Sequence, residues 1–167
     1  IERNPGVLAS NLDNLLLLTR GAMAEMRSLL LELRPGALER YTLTELLLQL
    51  AEALQGRKQM QVQLELGDEP SIAADVKEAL YRIAQEALNN VIRHSQATEV
   101  SIRVDGSPDH LELAIRDNGR GFEPAQVQSG IGLQSMDERA HAVGAELVVD
   151  SAPDQGTAIT LVWPRSA

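Results

Sequence analysis

Residues 75–94 read DVKEALYRIAQEALNNVIRH, and this stretch decides how the rest of the chain is interpreted. Its apolar residues recur at helical spacing, which predicts an amphipathic helix with a buried stripe made of Val76, Leu80, Ile83, Ala87 and Val91. We expect Asp75, with Glu78 three residues later, to cap the start of this helix. Glu86 and Asn90 are four residues apart, so they share one face at the border of the stripe.

That shared face places a carboxylate beside an amide oxygen, which are hard ligands suited to Mg²⁺ or to an ordered water. Arg93 lies beside the pair, and His94 ends the predicted helix. The alternative is an exposed polar face whose cationic end complements the helix dipole. The residues of the helix alone leave both interpretations open.

The surrounding sequence predicts one α/β domain. Its predicted elements are a helix capped by Thr42 and Glu45, a strand over 60–66, the helix over 75–94, a hairpin over 100–115, a helix over 133–143 and a hairpin over 145–163. Three helices against one mixed, largely antiparallel sheet indicate a two-layer sandwich.

The N-terminal residues have a different pattern. From Leu8 to Leu33 apolar residues repeat at heptad spacing, along one line at 12, 19, 26 and 33 and along a second at 15, 22 and 29. This predicts one long helix of a bundle or coiled coil, which needs a partner helix. A helix that simply packs on the following domain is the alternative. Pro35-Gly36 ends the pattern, so we predict two parts, residues 1–35 and 36–167.

A glycine-containing motif, Asp117-Asn118-Gly119-Arg120-Gly121, directly follows a predicted strand. An acidic side chain at a strand end, facing an apolar pocket, can accept a hydrogen bond from the exocyclic amine of adenine. Guanine presents an acceptor at that position and would be rejected. The alternative is an ordinary type I′ or type II turn.

A second glycine motif, Gly130-Ile131-Gly132-Leu133, opens a predicted helix. Free N–H groups at a helix start can hold phosphates. The alternative is a flexible loop that ends in a helix and binds nothing. The motif lacks the Gly-Lys-Ser/Thr ending of a P-loop, which argues against that class of nucleotide-binding fold.

Composition excludes several functions. The net charge is −9, which argues against a nucleic-acid partner. The chain has no cysteine, which excludes disulfides, thiolate metal sites and thiol catalysis. The longest apolar run, Leu15 to Leu18, is too short to span a membrane. We expect a cytoplasmic location, including the cytoplasmic part of a membrane-bound sensor, and the first residue, Ile1, suggests a fragment of a longer protein.

The order of the motifs carries a family resemblance. The motifs are Glu86…Asn90, Asp117-x-Gly119-x-Gly121, Gly130-x-Gly132 and Gly156-Thr157. In this order the chain resembles the ATP-binding domain, of Bergerat fold, that histidine kinases share with gyrase-type topoisomerases, Hsp90 and MutL. Residues 82–90 and 130–144 look like the sensor-kinase subfamily of the nitrate sensors and DesK. The helix ending at Pro35 looks like the second helix of that subfamily's dimerisation and phosphotransfer bundle.

At the phosphate end of the site, the resemblance implies that Asn90 ligates Mg²⁺ and that Glu86 orients or deprotonates a group near the γ-phosphate of ATP. The residues implied to contact or enclose the phosphates are Arg93, His94, Gly130 and Gly132.

At the base end, the resemblance implies that Asp117 binds the adenine amine while Gly119 and Gly121 shape the pocket. Thr157 would support the adenine site, and residues 122–129 would form a mobile lid.

The implied function is that of a sensor histidine kinase that passes a phosphoryl group from ATP to a histidine and then to a response regulator. The family's phosphoacceptor lies in a His-Asp or His-Glu box on the first bundle helix. His94, His110 and His141 do not match that box, so we expect this chain to bind ATP without phosphorylating itself. The acceptor helix would come from the parent chain, which would act as a homodimer. The alternatives are an ATPase clamp of the topoisomerase or Hsp90 type, a degenerate kinase that docks partners, and an anti-sigma-type Ser/Thr kinase.

Overall fold

The computed structural model describes residues 15–16, 19, 22–23, 26, 38–57, 60–107, 110–123 and 131–164. Within these ranges the elements are a 3-10 turn Leu38–Arg40, α1 Leu43–Arg57, β1 Gln61–Leu66, α2 Ala74–Asn90, a π-helical turn Val91–Ser95, β2 Glu99–Gly106, β3 His110–Asp117, α3 Ile131–Ala142, β4 Glu146–Ser151 and β5 Thr157–Pro164. These elements agree closely with the predicted helices and strands.

The five strands form one sheet in the order β1-β2-β3-β5-β4. β1 runs parallel to β2, because α2 crosses over between them. The β2–β3, β3–β5 and β4–β5 pairs are antiparallel. The mixed, largely antiparallel sheet and the three helices confirm the predicted two-layer α/β sandwich.

The core lies between the helices and one face of the sheet. The inward residues of β2 and β3 stack in register, as in the pairs Ile102 with Ile115 and Val104 with Leu113. All four of these side chains are buried, and so is the predicted apolar stripe of α2. Burial of aliphatic side chains on both layers is the main force that holds α2 on the sheet.

The start of α1 confirms the predicted capping box. The Thr42 N–H donates to Glu45 Oε2 at 2.8 Å, and the Glu45 N–H donates to Thr42 Oγ1 at 3.2 Å. Glu69, far along the chain, also accepts hydrogen bonds from the N–H groups of Leu43 at 2.8 Å and Thr44 at 2.9 Å. A distant carboxylate thus satisfies amides that the helix itself leaves free.

The predicted cap of α2 by Asp75 and Glu78 is wrong. The helix begins at Ala74, and Ala73 occupies the N-cap position without a side-chain hydrogen bond. Asp75 therefore lies within the first turn, where its Oδ1 accepts a hydrogen bond from the Val76 N–H at 2.8 Å. Its negative charge still favours that end of the helix dipole.

The predicted N-terminal helix is supported at the six described positions between 15 and 26, all of which are helical. Thr19 Oγ1 donates to the Leu15 carbonyl at 2.7 Å. Leu15 and Met26 are each 60% exposed. The rest of the predicted helix lies outside the described residues, and the division at residues 35 and 36 stays a prediction. Among the described residues, no helix combines the length and apolarity that a membrane crossing requires.

Candidate functional site

A cavity of about 650 Å³ lies between α2, the π-helical turn, α3 and the neighbouring ends of β3 and β5. Seven of the ten site residues predicted from the sequence line it, namely Glu86, Asn90, Arg93, His94, Asp117, Gly132 and Thr157. Residues that are scattered over 72 positions of sequence are thus brought to one concave surface. Such a surface, with a few convergent polar groups, is the usual form of a small-molecule site.

Asp117 is a nearly buried carboxylate at the end of β3, with 5% of its surface exposed. Its Oδ1 accepts a hydrogen bond from the Gly119 N–H at 2.8 Å. Burial raises the pKa of Asp117 above its usual value, although hydrogen bonds from the backbone of Gly119 and Thr157 oppose the shift. Ile115 and Ile159 line the cavity nearby. The end of β3 therefore presents a hydrogen-bond acceptor within apolar surroundings.

The glycines after Asp117 approach protein backbone and are absent from the cavity lining. A Cβ on Gly119 would lie 2.7 Å from Asp117 Oδ1 and would overlap the Ser95 carbonyl. Gly121 has φ +56°, and a Cβ there would overlap the Ala152 carbonyl. The two glycines thus fit the Asp117 loop against neighbouring backbone, whereas the resemblance implied that they shape the pocket itself.

Asn118 fixes the same loop to the segment that precedes β2. Its Oδ1 accepts hydrogen bonds from the N–H groups of Thr98 and Glu99, both at 3.0 Å. Its Nδ2 also donates to Thr98 Oγ1 at 3.0 Å. The motif is therefore more than a free turn, because the Asn118 side chain links the loop after β3 to Thr98 and Glu99 at the start of β2.

Glu86 and Asn90 line the cavity from α2, on the face predicted from their spacing. Both are half-buried, and neither side chain makes a hydrogen bond or ion pair with another residue in the described ranges. Gly132 of α3 packs against them. A Cβ on Gly132 would overlap Glu86 Oε1 and would lie 3.6 Å from Asn90 Nδ2. The absence of a side chain at Gly132 thus leaves the side chains of Glu86 and Asn90 open to the cavity.

The helix predicted to reach His94 changes to π-helical geometry after Asn90. Ser95 closes this turn, because its Oγ donates to the Val91 carbonyl at 2.7 Å and accepts from the Ala97 N–H at 3.0 Å. π-Helical turns are rare and occur often at functional sites. Here the turn carries Arg93 and His94, both exposed, on the rim of the cavity.

Sequence reasoning missed two further cations of the cavity, Arg120 and Arg139. Arg120 is tied to the π-helical turn, since its N–H donates to the Ser95 carbonyl at 2.7 Å. Arg139 is on α3, where Gly132 and Ser135 also line the cavity. The three- and four-residue spacing of these positions on a predicted helix was the signal that could have identified Arg139.

Two predicted parts of the site lie outside the described residues, namely Gly130 and positions 124–129 of the lid. Phe122 lines the cavity, and its N–H donates to Ser151 Oγ at 3.0 Å. The described start of the lid segment is therefore attached to β4.

The cavity lining thus combines two kinds of chemistry. Asp117 offers a buried acceptor among aliphatic side chains, whereas Glu86 and Asn90 offer side-chain oxygens beside Gly132 of α3. The basic residues Arg93, His94, Arg120 and Arg139 also line the cavity. An amine-bearing planar base would suit the buried acceptor, and a polyphosphate, accompanied by a divalent cation, would suit the side-chain oxygens, the helix start and the basic side chains.

Comparison with known proteins agrees with this geometry. Residues 75–167 match the family described as histidine kinase-, DNA gyrase B- and HSP90-like ATPase. Sensor protein VraS of Staphylococcus aureus (strain COL) is 37% identical over 148 residues, which are 88% of this chain and 42% of VraS. Sensor histidine kinase LiaS of Bacillus subtilis (strain 168) is 40% identical over 144 residues, which are 86% of this chain and 40% of LiaS.

Among solved structures, the histidine kinase domain of the Erythrobacter litoralis EL346 blue-light activated histidine kinase has the same fold. Its TM-score is 0.60 at 22% identity, over 71% of this chain and 60% of that one. The chain spans about two fifths of the length of the curated relatives it matches. The chain belongs to the histidine kinase-, DNA gyrase B- and HSP90-like ATPase family.

Proposed function

We propose that the cavity binds ATP together with Mg²⁺, with the adenine at Asp117 and the phosphates between Asn90 and the start of α3. The observation that carries this orientation is that one cavity is lined both by the buried acceptor Asp117 and by the half-buried side chains of Glu86 and Asn90, which lie beside Gly132 of α3. The Asp117 carboxylate accepts from the adenine amine, and Thr157 supports the carboxylate through its backbone.

The half-buried oxygens of Asn90 and Glu86 fit a divalent cation, since they face the cavity and make no hydrogen bonds with the other described residues. Asn90 would hold the ion, and bound Mg²⁺ would neutralise phosphate charge. Glu86 would orient or deprotonate the attacking group beside the γ-phosphate. Arg93 and His94 on the π-helical turn would contact the phosphates. Phosphoryl transfer depends mainly on such positioning and charge neutralisation.

The kinase reaction is part of the same proposal. The γ-phosphoryl of ATP would pass to a histidine on a bundle helix of the parent protein and then to a response regulator. The structure gives no support for an acceptor within the described part of this chain. His110 lies in the β2–β3 hairpin and contacts Ser107 Oγ through Nδ1 at 2.9 Å, while His141 is exposed on α3.

The wider assignment rests on the resemblance to the nitrate-sensor and DesK subfamily. Under this assignment, residues 1–35 of this chain are the second bundle helix and residues 36–167 are the catalytic domain. The parent protein is a homodimer with a cytoplasmic catalytic domain, a location that includes the cytoplasmic part of a membrane-bound sensor.

Calorimetric titration of ATP, ADP and GTP, with Mg²⁺ and with EDTA, tests the site assignment. We expect ATP and ADP to bind, GTP to give no heat, and Mg²⁺ to strengthen ATP binding. Asn90→Ala should remove the Mg²⁺ effect. The matched control is Asn89→Ala, because Asn89 is the neighbouring half-buried amide of α2 and does not line the cavity. An undiminished Mg²⁺ effect in Asn90→Ala would contradict the assignment of the ligand.

A further inference from the structure

One face of α3 forms a wall of the cavity. Gly132, Ser135 and Arg139 all line the cavity, and their spacing places them along one side of the helix. Met136 and Ala140, on the adjacent face of the helix, are buried in the core and fix the rotation of the helix. Arg139 is therefore held toward the cavity by the packing of α3, although it is exposed to solvent.

The guanidinium of Arg139 points back along α3 toward Gly132. Its Nη1 donates to Ser135 Oγ and, at 3.2 Å, to the Ser135 carbonyl, one turn nearer the start of the helix. This direction follows from the tilt of helical side chains toward the N-terminus. Within the residues that the structure describes, no carboxylate lies within ion-pair distance of Arg139. A guanidinium has five donors, so most of its donors are open to a ligand.

The position of Gly132 shows which end of the cavity Arg139 faces. Gly132 packs on Glu86 and Asn90, whereas Asp117 lies at the end of β3. Seven residues of α-helix span about 10 Å, and the backward tilt of the arginine shortens this distance. The open donors of Arg139 are consequently directed along α3 toward the part of the cavity where Gly132 lies beside Glu86.

We propose that Arg139, oriented by Ser135, binds the terminal phosphate of ATP and makes α3 the element that distinguishes ATP from ADP. The inference rests on the proposed function, because it takes the phosphates to lie at Glu86 and Asn90. Guanidinium groups suit this task, since their planar fork matches phosphate oxygens and stays charged at all relevant pH values. ADP lacks the phosphate that would meet Arg139.

The experiment compares calorimetric affinities for Mg²⁺-ADP and for a Mg²⁺-bound, non-hydrolysable ATP analogue in matched variants. Arg139→Gln should weaken binding of the ATP analogue about tenfold, the effect of about one charge-assisted hydrogen bond. It should leave ADP affinity within about twofold, because ADP does not reach Arg139. Arg139→Lys, which keeps the charge but loses the fork, should fall between. Arg116→Gln is the control, since Arg116 is exposed on β3 and does not line the cavity.

The two proposals fail in different ways. If folded Arg139→Gln keeps the affinities of the unchanged protein for both nucleotides, or loses affinity for both to the same extent, the role of Arg139 is overturned while the nucleotide site stands. An equal loss of affinity for both nucleotides is expected if Arg139 acts only through the dipole near the C-terminal end of α3. If the unchanged protein binds neither nucleotide, the proposed function is overturned and the role of Arg139 with it.

Discussion

Replacing Asp117 by asparagine separates the binding role of this residue from its effect on stability. The two side chains have the same shape, and the asparagine oxygen can still accept from the Gly119 N–H, which donates to Oδ1 at 2.8 Å. The substitution removes a charge that burial disfavours, as the raised pKa of Asp117 indicates. We therefore expect the melting temperature of Asp117→Asn to equal or exceed that of the unchanged protein.

The expected loss of ATP affinity follows from the hydrogen bond at the buried end of the cavity. In the variant, the new amide presents donors toward the adenine amine, so a charge-assisted bond is lost and donors oppose each other. Such a change costs about 1.5–3 kcal/mol, which corresponds to a fall of about 10- to 100-fold in affinity. GTP should gain relative to ATP, because the guanine oxygen can accept from the amide.

Calorimetry with ATP and GTP, combined with thermal unfolding, measures both effects. Asp150→Asn is the control, since Asp150 is an exposed carboxylate on β4 and does not line the cavity. The proposed role of Asp117 is refuted if the ATP affinity of folded Asp117→Asn lies within about twofold of that of the unchanged protein. A twofold change is less than about 0.5 kcal/mol, since a tenfold change in affinity corresponds to about 1.4 kcal/mol.

Three further outcomes are expected. Glu69→Ala should lower the free energy of unfolding, measured by chemical denaturation, by about 1–2 kcal/mol, because the Glu69 carboxylate caps α1. The control is Glu146→Ala, which removes an exposed carboxylate from β4. Gly132→Ala should slow phosphoryl transfer from ATP to the acceptor histidine of the full-length parent protein, because the new methyl group displaces the Glu86 carboxylate. The melting temperature should hold or rise, and an unchanged rate of histidine labelling in that protein would contradict the prediction. Burial raises the pKa of Asp117, so acidification from neutral pH through that pKa should protonate the carboxylate and weaken ATP binding. Over the same range the contribution of this carboxyl to the free energy of unfolding should increase, because the folded state binds the proton more tightly than the unfolded state. ATP titrations and unfolding measurements at several pH values test both effects, with Asp117→Asn as the control.

Local signals explain which parts of the fold could be predicted. The Thr42 capping box and the buried stripe of α2 depend on residues within a few positions of each other, and both are confirmed. The cap from Glu69 could not be read from the sequence, because it joins residues 26 positions apart. The Asp75 pattern misled for a related reason. Any acidic residue near a helix start resembles a cap, and backbone geometry decides which residue takes that position.

The site residues could be predicted where the chemical type of a side chain and its spacing along a helix or strand both indicate the same role. The spacing of Glu86 and Asn90 placed them correctly on one face, and Asp117 lies buried at a strand end as expected. The tertiary contacts of Gly119 were not predictable, because a glycine needed beside a ligand and one needed beside backbone look the same in sequence. Arg139 was missed because surface arginines are common on helices, and only the packing of α3 turns this one toward the cavity.

The central claim is that ATP lies with its adenine on Asp117 and its phosphates beside Asn90. A crystal structure of the protein with Mg²⁺ and a non-hydrolysable ATP analogue tests this most directly. We expect the adenine amine within hydrogen-bonding distance of the Asp117 carboxylate and the metal ion on the side-chain oxygen of Asn90. A nucleotide bound outside this cavity, or bound in it with the base and phosphates exchanged, would contradict the account.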